Sequence, residues 1–268
     1  MSLASSALAD RLIAPVLEAG RAALAIREAG LDVSDKADAS PVTEADRAAE
    51  AILIDAIETV APGTLIVAEE RAEAHGLPAD GAERFWLVDP LDGTKEFIKG
   101  GEDFTVNVAL IEQGQPVLGL VYAPVQDRLF WGVAGHGAKL RVGGQERLIA
   151  TRAMAQPPAV VASRSHRSPE TDAYLARFPG ADCVSVGSSL KFCLVAMGEA
   201  DLYPRLGPTM EWDTAAGDAV LRAAGGQVID TRGQPFLYNK PGFKNGFFVA
   251  WGDATAPAPP APDAVLHG

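Results

Sequence analysis

Trp86-Leu87-Val88-Asp89-Pro90-Leu91-Asp92-Gly93-Thr94-Lys95-Glu96-Phe97 joins an apolar run to two carboxylates, a rigid proline, a glycine and a hydroxyl. The run reads as a buried strand that ends abruptly at a turn. Carboxylates three apart across a fixed turn can converge on a hard cation, which takes oxygen ligands and commonly keeps a substrate phosphate in its shell. Gly93-Thr94-Lys95 then opens a helix, whose unpaired N–H groups and positive dipole end suit an anion. The stretch therefore predicts a site for divalent metal and phosphate at the end of a strand.

Working outward, residues 8–29 carry apolar side chains at helical spacing, with a kink or break expected at Pro15 and a stop at Gly30. A second helix is expected over residues 43–60. Thr43 caps it, Asp46 stands at the third following position, and Pro62-Gly63 end it. Residues 65–68 and 85–88 read as short strands, each delivering acids at its C-terminal end: Glu69 and Glu70, then Asp89 and Asp92. From 104 to 142, apolar runs broken by turn residues predict an antiparallel meander. After a link near 152–158, strand-like and helix-like segments alternate in the rhythm of an α/β unit. The expected division is an α+β half over 4–152, an α/β half over 153–252 with a cleft between them, and an Ala/Pro-rich tail over 253–268.

Composition narrows the function classes. A 268-residue chain with 48% hydrophobic and 7% aromatic residues can bury a sizeable core. Its net charge of −12 argues against nonspecific binding to nucleic acid or to an anionic membrane. An anionic substrate would then need local cations, a second reason to expect bound metal. Cys183 and Cys193 alone make neither a disulfide framework nor a zinc site, which fits a reducing cytosol. No run approaches the roughly 20 apolar residues of a membrane span, so a soluble protein is expected.

Taken singly, the chemical groups have plainer readings. Glu69-Glu70 suits a solvated loop, Asp89 and Asp92 suit turn formation as well as ligation, and Asp213 before Thr214-Ala215-Ala216-Gly217 suits a helix N-cap. Lys36 and Asp46 read as surface charges, and Thr94 as a helix-start residue.

Two distant motifs change that weighting. Asp89-Pro90-Leu91-Asp92-Gly93-Thr94 and Trp212-Asp213-Thr214-Ala215-Ala216-Gly217 together resemble the signatures of the inositol monophosphatase superfamily of magnesium-dependent, lithium-sensitive phosphatases. The resemblance runs from Lys36-Ala37-Asp38 and Ser40-Pro41-Val42-Thr43-Glu44-Ala45-Asp46 to the final strand near residues 247–251. It implies a layered αβαβα sugar-phosphatase fold. Within the superfamily, Lys95-Glu96-Phe97-Ile98-Lys99, Ser188-Ser189-Leu190-Lys191-Phe192-Cys193 and residues 202–209 resemble the CysQ branch of 3′(2′),5′-bisphosphate nucleotidases. Met210-Glu211 departs from the pattern at a place where variation is expected.

What the resemblance implies is specific. The substrate would be adenosine 3′,5′-bisphosphate, the by-product of sulfate activation and sulfotransfer, converted to AMP and phosphate in the cytoplasm, with a peripheral place at the inner membrane as a further option. Glu69, Asp89, the Leu91 carbonyl, Asp92 and Asp213 would share two or three Mg²⁺ ions, with Li⁺ and Ca²⁺ as inhibitors. Asp46, Glu69 and Thr94 would be catalytic, with Asp46 or Glu69 holding the Thr94 hydroxyl. Gly93, Thr94, His166, Ser188, Lys191, Arg205 and Asp213 would contact the substrate. Monomer and homodimer both remain open. So do two rivals: a sibling phosphatase acting on inositol monophosphate, fructose bisphosphate or histidinol phosphate, and a non-catalytic Mg²⁺-dependent anion-binding module.

Overall fold

A computed structural model describes residues 5–30, 33–35, 41–79, 81–163 and 168–253. Helix α1 (Ser5–Ala29) runs unbroken through Pro15, because Leu8, Leu12 and Val16 bury one stripe of it around the position where the ring removes a hydrogen bond. A short antiparallel pair, β1 (Val33–Asp35) and β2 (Pro41–Thr43), leads into α2 (Glu44–Val60). Thr43 caps α2 as its sequence predicts, with Asp46 completing a capping box.

Seven strands then form one sheet in sequential order: β3 (Leu65–Ala68), β4 (Arg84–Asp92), β5 (Thr105–Glu112), β6 (Gln115–Ala123), β7 (Arg128–Val133), β8 (Gly137–Val142) and β9 (Gln145–Ile149). Strands β3 and β4 are parallel and every later neighbour is antiparallel, so the expected meander is present and continues through β9. Short helices α3 (Glu69–His75) and α4 (Thr94–Ile98) follow β3 and β4. The rest of the chain alternates β10 (Ala159–Ser163), α5 (Pro169–Leu175), β11 (Asp182–Val186), α6 (Leu190–Ala196), β12 (Leu202–Arg205), β13 (Thr209–Met210), α7 (Ala215–Ala223), β14 (Gln227–Asp230), β15 (Lys244–Asn245) and β16 (Phe248–Trp251). Five of these strands make a second, mixed sheet in the order β11-β10-β12-β16-β14. The change of sheet falls between β9 and β10, over residues 150–158.

Period-two alternation stacks the layers. Trp86, Val88, Val108 and Leu110 face α1 and α2, whereas Phe85, Leu87, Ala109 and Ile111 face Ala216, Val220 and Leu221 of α7 and Phe192 of α6. Those two helices are covered on their other side by Val161, Tyr203, Phe248 and Ala250 of the second sheet. The opposite face of that sheet, with Val160, Leu202, Val249 and Trp251, meets Tyr174 of α5. The order is therefore helices, sheet, helices, sheet, helix, the αβαβα arrangement implied by the motif resemblance.

Two glycines set the depth of the middle layer. A Cβ on Gly119 would stand 2.3 Å from the Ala216 carbonyl oxygen, and one on Gly132 would stand 2.7 Å from the Val220 Cα. Only glycine lets α7 lie directly on β6 and β7, and that seat fixes the residues leading into α7, Asp213 among them. Arg152, between β9 and β10, donates two bonds of 2.7 and 3.1 Å to Asp201, whose carboxylate also accepts the Ala159 N–H at 2.7 Å. No helix among the described residues is long and apolar enough to cross a membrane. The expected Pro-rich tail beyond Asp253 lies outside the described residues.

Candidate active site

Strand β4 extends past Val88 to Asp92, further than its apolar run predicts. Opposite β5, Asp89 pairs with Asn107 and Asp92 with Thr105, so one extra residue bulges out around Pro90-Leu91. A bulge tolerates proline's missing N–H and re-aims side chains, here turning both acids toward one end of the sheet. Asp89 is 1% exposed, and its carboxylate accepts the Leu91 N–H at 3.0 Å. Gly93 then takes a left-handed backbone (φ 99°), with the Asp103 carbonyl only 3.2 Å from where a Cβ would sit. Helix α4 begins at Thr94 and is a single turn, so its dipole is weaker than the sequence alone implies.

Asp46 is not a surface charge but a buried one. One of its oxygens accepts the Thr43 N–H and hydroxyl at 2.8 and 2.7 Å, and the other lies 3.2 Å from the Thr94 hydroxyl. The Leu91 carbonyl is also 3.2 Å from Thr94 Oγ1. The cap of α2 thus holds an acceptor, oriented on its far side, against the Thr94 hydroxyl.

Asp92 and Asp213 meet across the cleft through a serine. Ser189 Oγ lies 3.1 Å from the Asp92 carboxylate and 2.7 Å from the Asp213 carbonyl oxygen, and it accepts the Asn107 amide N–H at 3.1 Å. Asp213 is not the N-cap of α7, a place taken by Thr214; its carboxylate instead closes a turn by accepting the Met210 N–H at 2.8 Å. Glu69, at the start of α3, faces the same cleft.

The electrostatics of this group are one-sided. Burial first, and then the charges of Glu69, Asp92 and Asp213, hold the Asp89 carboxyl well above the usual carboxylate range. Asp213 is pushed up in the same way by burial, Asp92 and Glu69. Burial also raises Asp92, against the pull of Lys191 and of hydrogen bonds from Ser189. The donor set is all oxygen, as Mg²⁺ prefers, and its buried negative charge exceeds what the nearby cations offset. Among the described residues, no three Asp, Glu, His or Cys side chains stand at mutual ligand spacing. The chemistry of the group fits divalent cations whose shells draw also on the Leu91 carbonyl, water and phosphate, as Mg²⁺ shells usually do.

The opposite wall is cationic. Lys191 is 4% exposed, donates to the Val186 carbonyl at 3.3 Å and to the Ser188 carbonyl, and lies 5.3 Å from the Tyr203 ring centroid. Burial lowers its pKa to about 8, despite the opposing charge of Asp92. Arg205 is 8% exposed and gives one N–H to the Pro208 carbonyl at 2.9 Å, while its buried Nε has no partner among the described residues. Ser188 sits at φ 50°, and its buried hydroxyl also lacks a partner. These groups line a cleft of about 520 Å³ together with Glu69, Asp92, Gly93, Thr94 and Asp213. His166 and Lys36 lie outside the described residues.

Three functional or supporting residues escape the sequence. Ser189 reaches the Asp92 carboxylate and the Asp213 backbone carbonyl, and a serine beside an identical neighbour carries no sequence signal of that role. Asn107 hides in a strand. Glu211, expected as a variable position, is fully buried, pairs with Lys240 at 2.7 Å and accepts the backbone N–H groups of Asn239 and Lys240.

Comparison with known proteins places the chain in a family. The model of the inositol monophosphatase family matches residues 4–256. Over 220 residues the chain is 49% identical to the 3′(2′),5′-bisphosphate nucleotidase CysQ of Shigella flexneri, covering 80% of this chain and 88% of that protein. The CysQ of Escherichia coli (strain K12) is 47% identical with the same coverage. The crystal structure of CysQ from Bacteroides thetaiotaomicron superposes with a TM-score of 0.75 at 37% identity, covering 92% of this chain and 97% of that one. The chain belongs to the inositol monophosphatase family, whose members are metal-dependent phosphatases.

Proposed function

We propose that this protein is an Mg²⁺-dependent 3′(2′),5′-bisphosphate nucleotidase, removing the 3′-phosphate of adenosine 3′,5′-bisphosphate to leave AMP and inorganic phosphate. One observation carries the reading: a single cleft sets the carboxylates of Glu69, Asp92 and Asp213 against the buried cations Lys191 and Arg205, and on the cationic wall Arg205 Nε and Ser188 Oγ lack partners among the described residues. A substrate with two phosphates, one to be cleaved and one to be held, matches that polarity. The CysQ names of the relatives support it, and the reaction would serve the removal of a by-product of sulfate activation and sulfotransfer.

Glu69, Asp89, the Leu91 carbonyl, Asp92 and Asp213 would hold the cations. When bound there, divalent cations supply charge neutralisation of the phosphate, a lower pKa for the attacking water and stabilisation of the leaving ribose oxygen. The chain's own groups do the rest. Thr94 Oγ1, within reach of Asp46, accepts a proton from the attacking water as its own proton passes to the Asp46 carboxylate. N–H groups of Gly93 and Thr94 orient the non-bridging phosphate oxygens, since the first turn of a helix leaves its N–H groups without intrahelical partners. Lys191, Arg205 and Ser188 hold the 5′-phosphate and ribose, Arg205 through its planar fork and Lys191 as a point charge.

Phosphate release from adenosine 3′,5′-bisphosphate with added Mg²⁺, with EDTA, and with Li⁺ or Ca²⁺ as competitors tests the reading. Activity that needs Mg²⁺ and falls with Li⁺ or Ca²⁺ is expected. Undiminished activity in excess EDTA would refute the cation assignment.

A further inference from the structure

The contacts of Ser189 extend beyond a single hydrogen bond. Its side chain is buried, and its hydroxyl touches three groups distant in sequence: the Asn107 amide on β5, the Asp92 carboxylate at the end of β4, and the Asp213 carbonyl before α7. Asp92 and Asn107 belong to the first sheet, while Ser189 and Asp213 belong to the segments leading into α6 and α7. One atom therefore spans the junction of the two halves at the base of the cleft.

Donor and acceptor counting fixes the direction of this chain of bonds. The Asp213 carbonyl can only accept, and an ionised Asp92 can only accept, so both depend on the one serine proton. Asn107 must then present its NH₂ to Ser189, because its carbonyl oxygen would compete for that proton. This orientation leaves Asn107 Oδ1 buried without a partner, a cost of the kind usually retained only where the arrangement is needed. By occupying a lone pair of Ser189, the amide turns the proton toward the Asp92–Asp213 side.

We infer that Ser189, oriented by Asn107, is a positioning residue that sets the separation of Asp92 and Asp213 and so shapes the cation site across the two halves. The inference rests on the reading of the cleft as a phosphatase site. Ser189 is 2% exposed, and in this reading it acts through the acids rather than on the nucleotide. Its removal frees the Asp92 carboxylate and the backbone that carries Asp213, so the effect appears in cation affinity and in kcat, with KM for the nucleotide little changed.

The test uses full-length protein and Mn²⁺ as an EPR-visible probe, titrated without substrate, together with steady-state phosphate release and thermal unfolding. Ser189→Ala is expected to weaken Mn²⁺ binding at least about tenfold and to lower kcat by a similar factor, as outer ligand-orienting groups commonly do when removed. Ser189→Thr, which keeps the hydroxyl, should restore most of both. Asn107→Ala contacts neither carboxylate and provides the second reading if Ser189→Ala fails to fold; a loss of about threefold or more in Mn²⁺ affinity is expected. Wild-type Mn²⁺ affinity and kcat in folded Ser189→Ala, or wild-type affinity in Asn107→Ala, would overturn the inference while leaving the phosphatase reading intact. A wild-type protein that binds no Mn²⁺ would overturn that reading and this inference with it.

Discussion

Two acidic regions meet at helix α7, one within it and one before it, and they are built on opposite terms. Within the helix, Asp218 accepts bonds of 2.6 and 3.0 Å from Arg222 and one of 2.9 Å from the Tyr238 hydroxyl. Burial pushes its carboxyl up, and the charge and hydrogen bonds of Arg222 pull it back. Arg222 in turn reaches Gln115 and the Phe236 carbonyl, both at 2.6 Å. Before the helix, Asp213 joins Asp89, Asp92 and Glu69, where the charges that weigh most on Asp89 and Asp213 are those of other acids. A carboxylate that serves the fold is matched within the chain, whereas these are left in excess, which is where an external cation gains most.

The comparison breaks most visibly under substitution. Asp89→Asn should lower kcat/KM by about 10³-fold or more, since cation stabilisation of a phosphoryl transition state is worth several kcal/mol. Because it removes one of several like charges, it should not destabilise the cation-free protein at neutral pH. Asp218→Ala should do the reverse, costing about 2–3 kcal/mol by taking the carboxylate from partly buried Arg222 and from the buried Tyr238 hydroxyl, while the folded fraction keeps its rate within about threefold. Urea unfolding beside phosphate-release kinetics separates the two. If Asp89→Asn unfolds the chain as Asp218→Ala does, the contrast between the regions is wrong.

Next in size is the hydroxyl. Thr94→Ala should lower kcat by about 10²-fold with little change in KM, and Thr94→Ser should recover most of it. A change confined to KM would make Thr94 a binding group only. On the cationic wall, Arg205→Ala should reduce kcat/KM for adenosine 3′,5′-bisphosphate at least about tenfold, roughly 1.4 kcal/mol, and affect inositol 1-phosphate far less. Equal losses on both substrates would assign Arg205 to the cleaved phosphate or to structure.

The smallest effect is in pH. The folded-state pKa of Lys191 is lowered to about 8 from an ordinary 10.5. Between those values the unfolded chain binds the additional proton, so this group adds stability as pH rises through the window. Over the same window the folded protein loses the charge that meets the 5′-phosphate. kcat/KM for adenosine 3′,5′-bisphosphate should therefore fall above about pH 8, and 3′-AMP, lacking a 5′-phosphate, should not show that limb. Identical profiles for both substrates would remove Lys191 from 5′-phosphate binding.

Much of the architecture is legible in periodicity and caps. The capping box at Thr43 and Asp46, the strand leading to Asp89 and the alternating C-terminal half all stand where the pattern places them. Local pattern reports which face of an element is apolar. It does not report what crosses the gap between elements, and the site is made of such crossings. Asp46 is readable as a cap but not as the partner of Thr94, 48 positions away. Ser189 and Asn107 are 82 positions apart and carry no local signal, and Glu211 finds Lys240 only through the fold. The motif pair around Asp89 and Asp213 could be recognised because its spacing encodes those crossings indirectly.

The central claim is that one cleft cleaves one phosphate while holding another. Its most direct test measures kcat/KM side by side for adenosine 3′,5′-bisphosphate, 3′-AMP and inositol 1-phosphate in saturating Mg²⁺. The account predicts the bisphosphate to exceed each monophosphate by at least about tenfold, as expected when the held end forgoes one charge-assisted hydrogen bond, with AMP as the product. Equal or faster hydrolysis of inositol 1-phosphate would contradict it and make the cationic wall a general phosphate site.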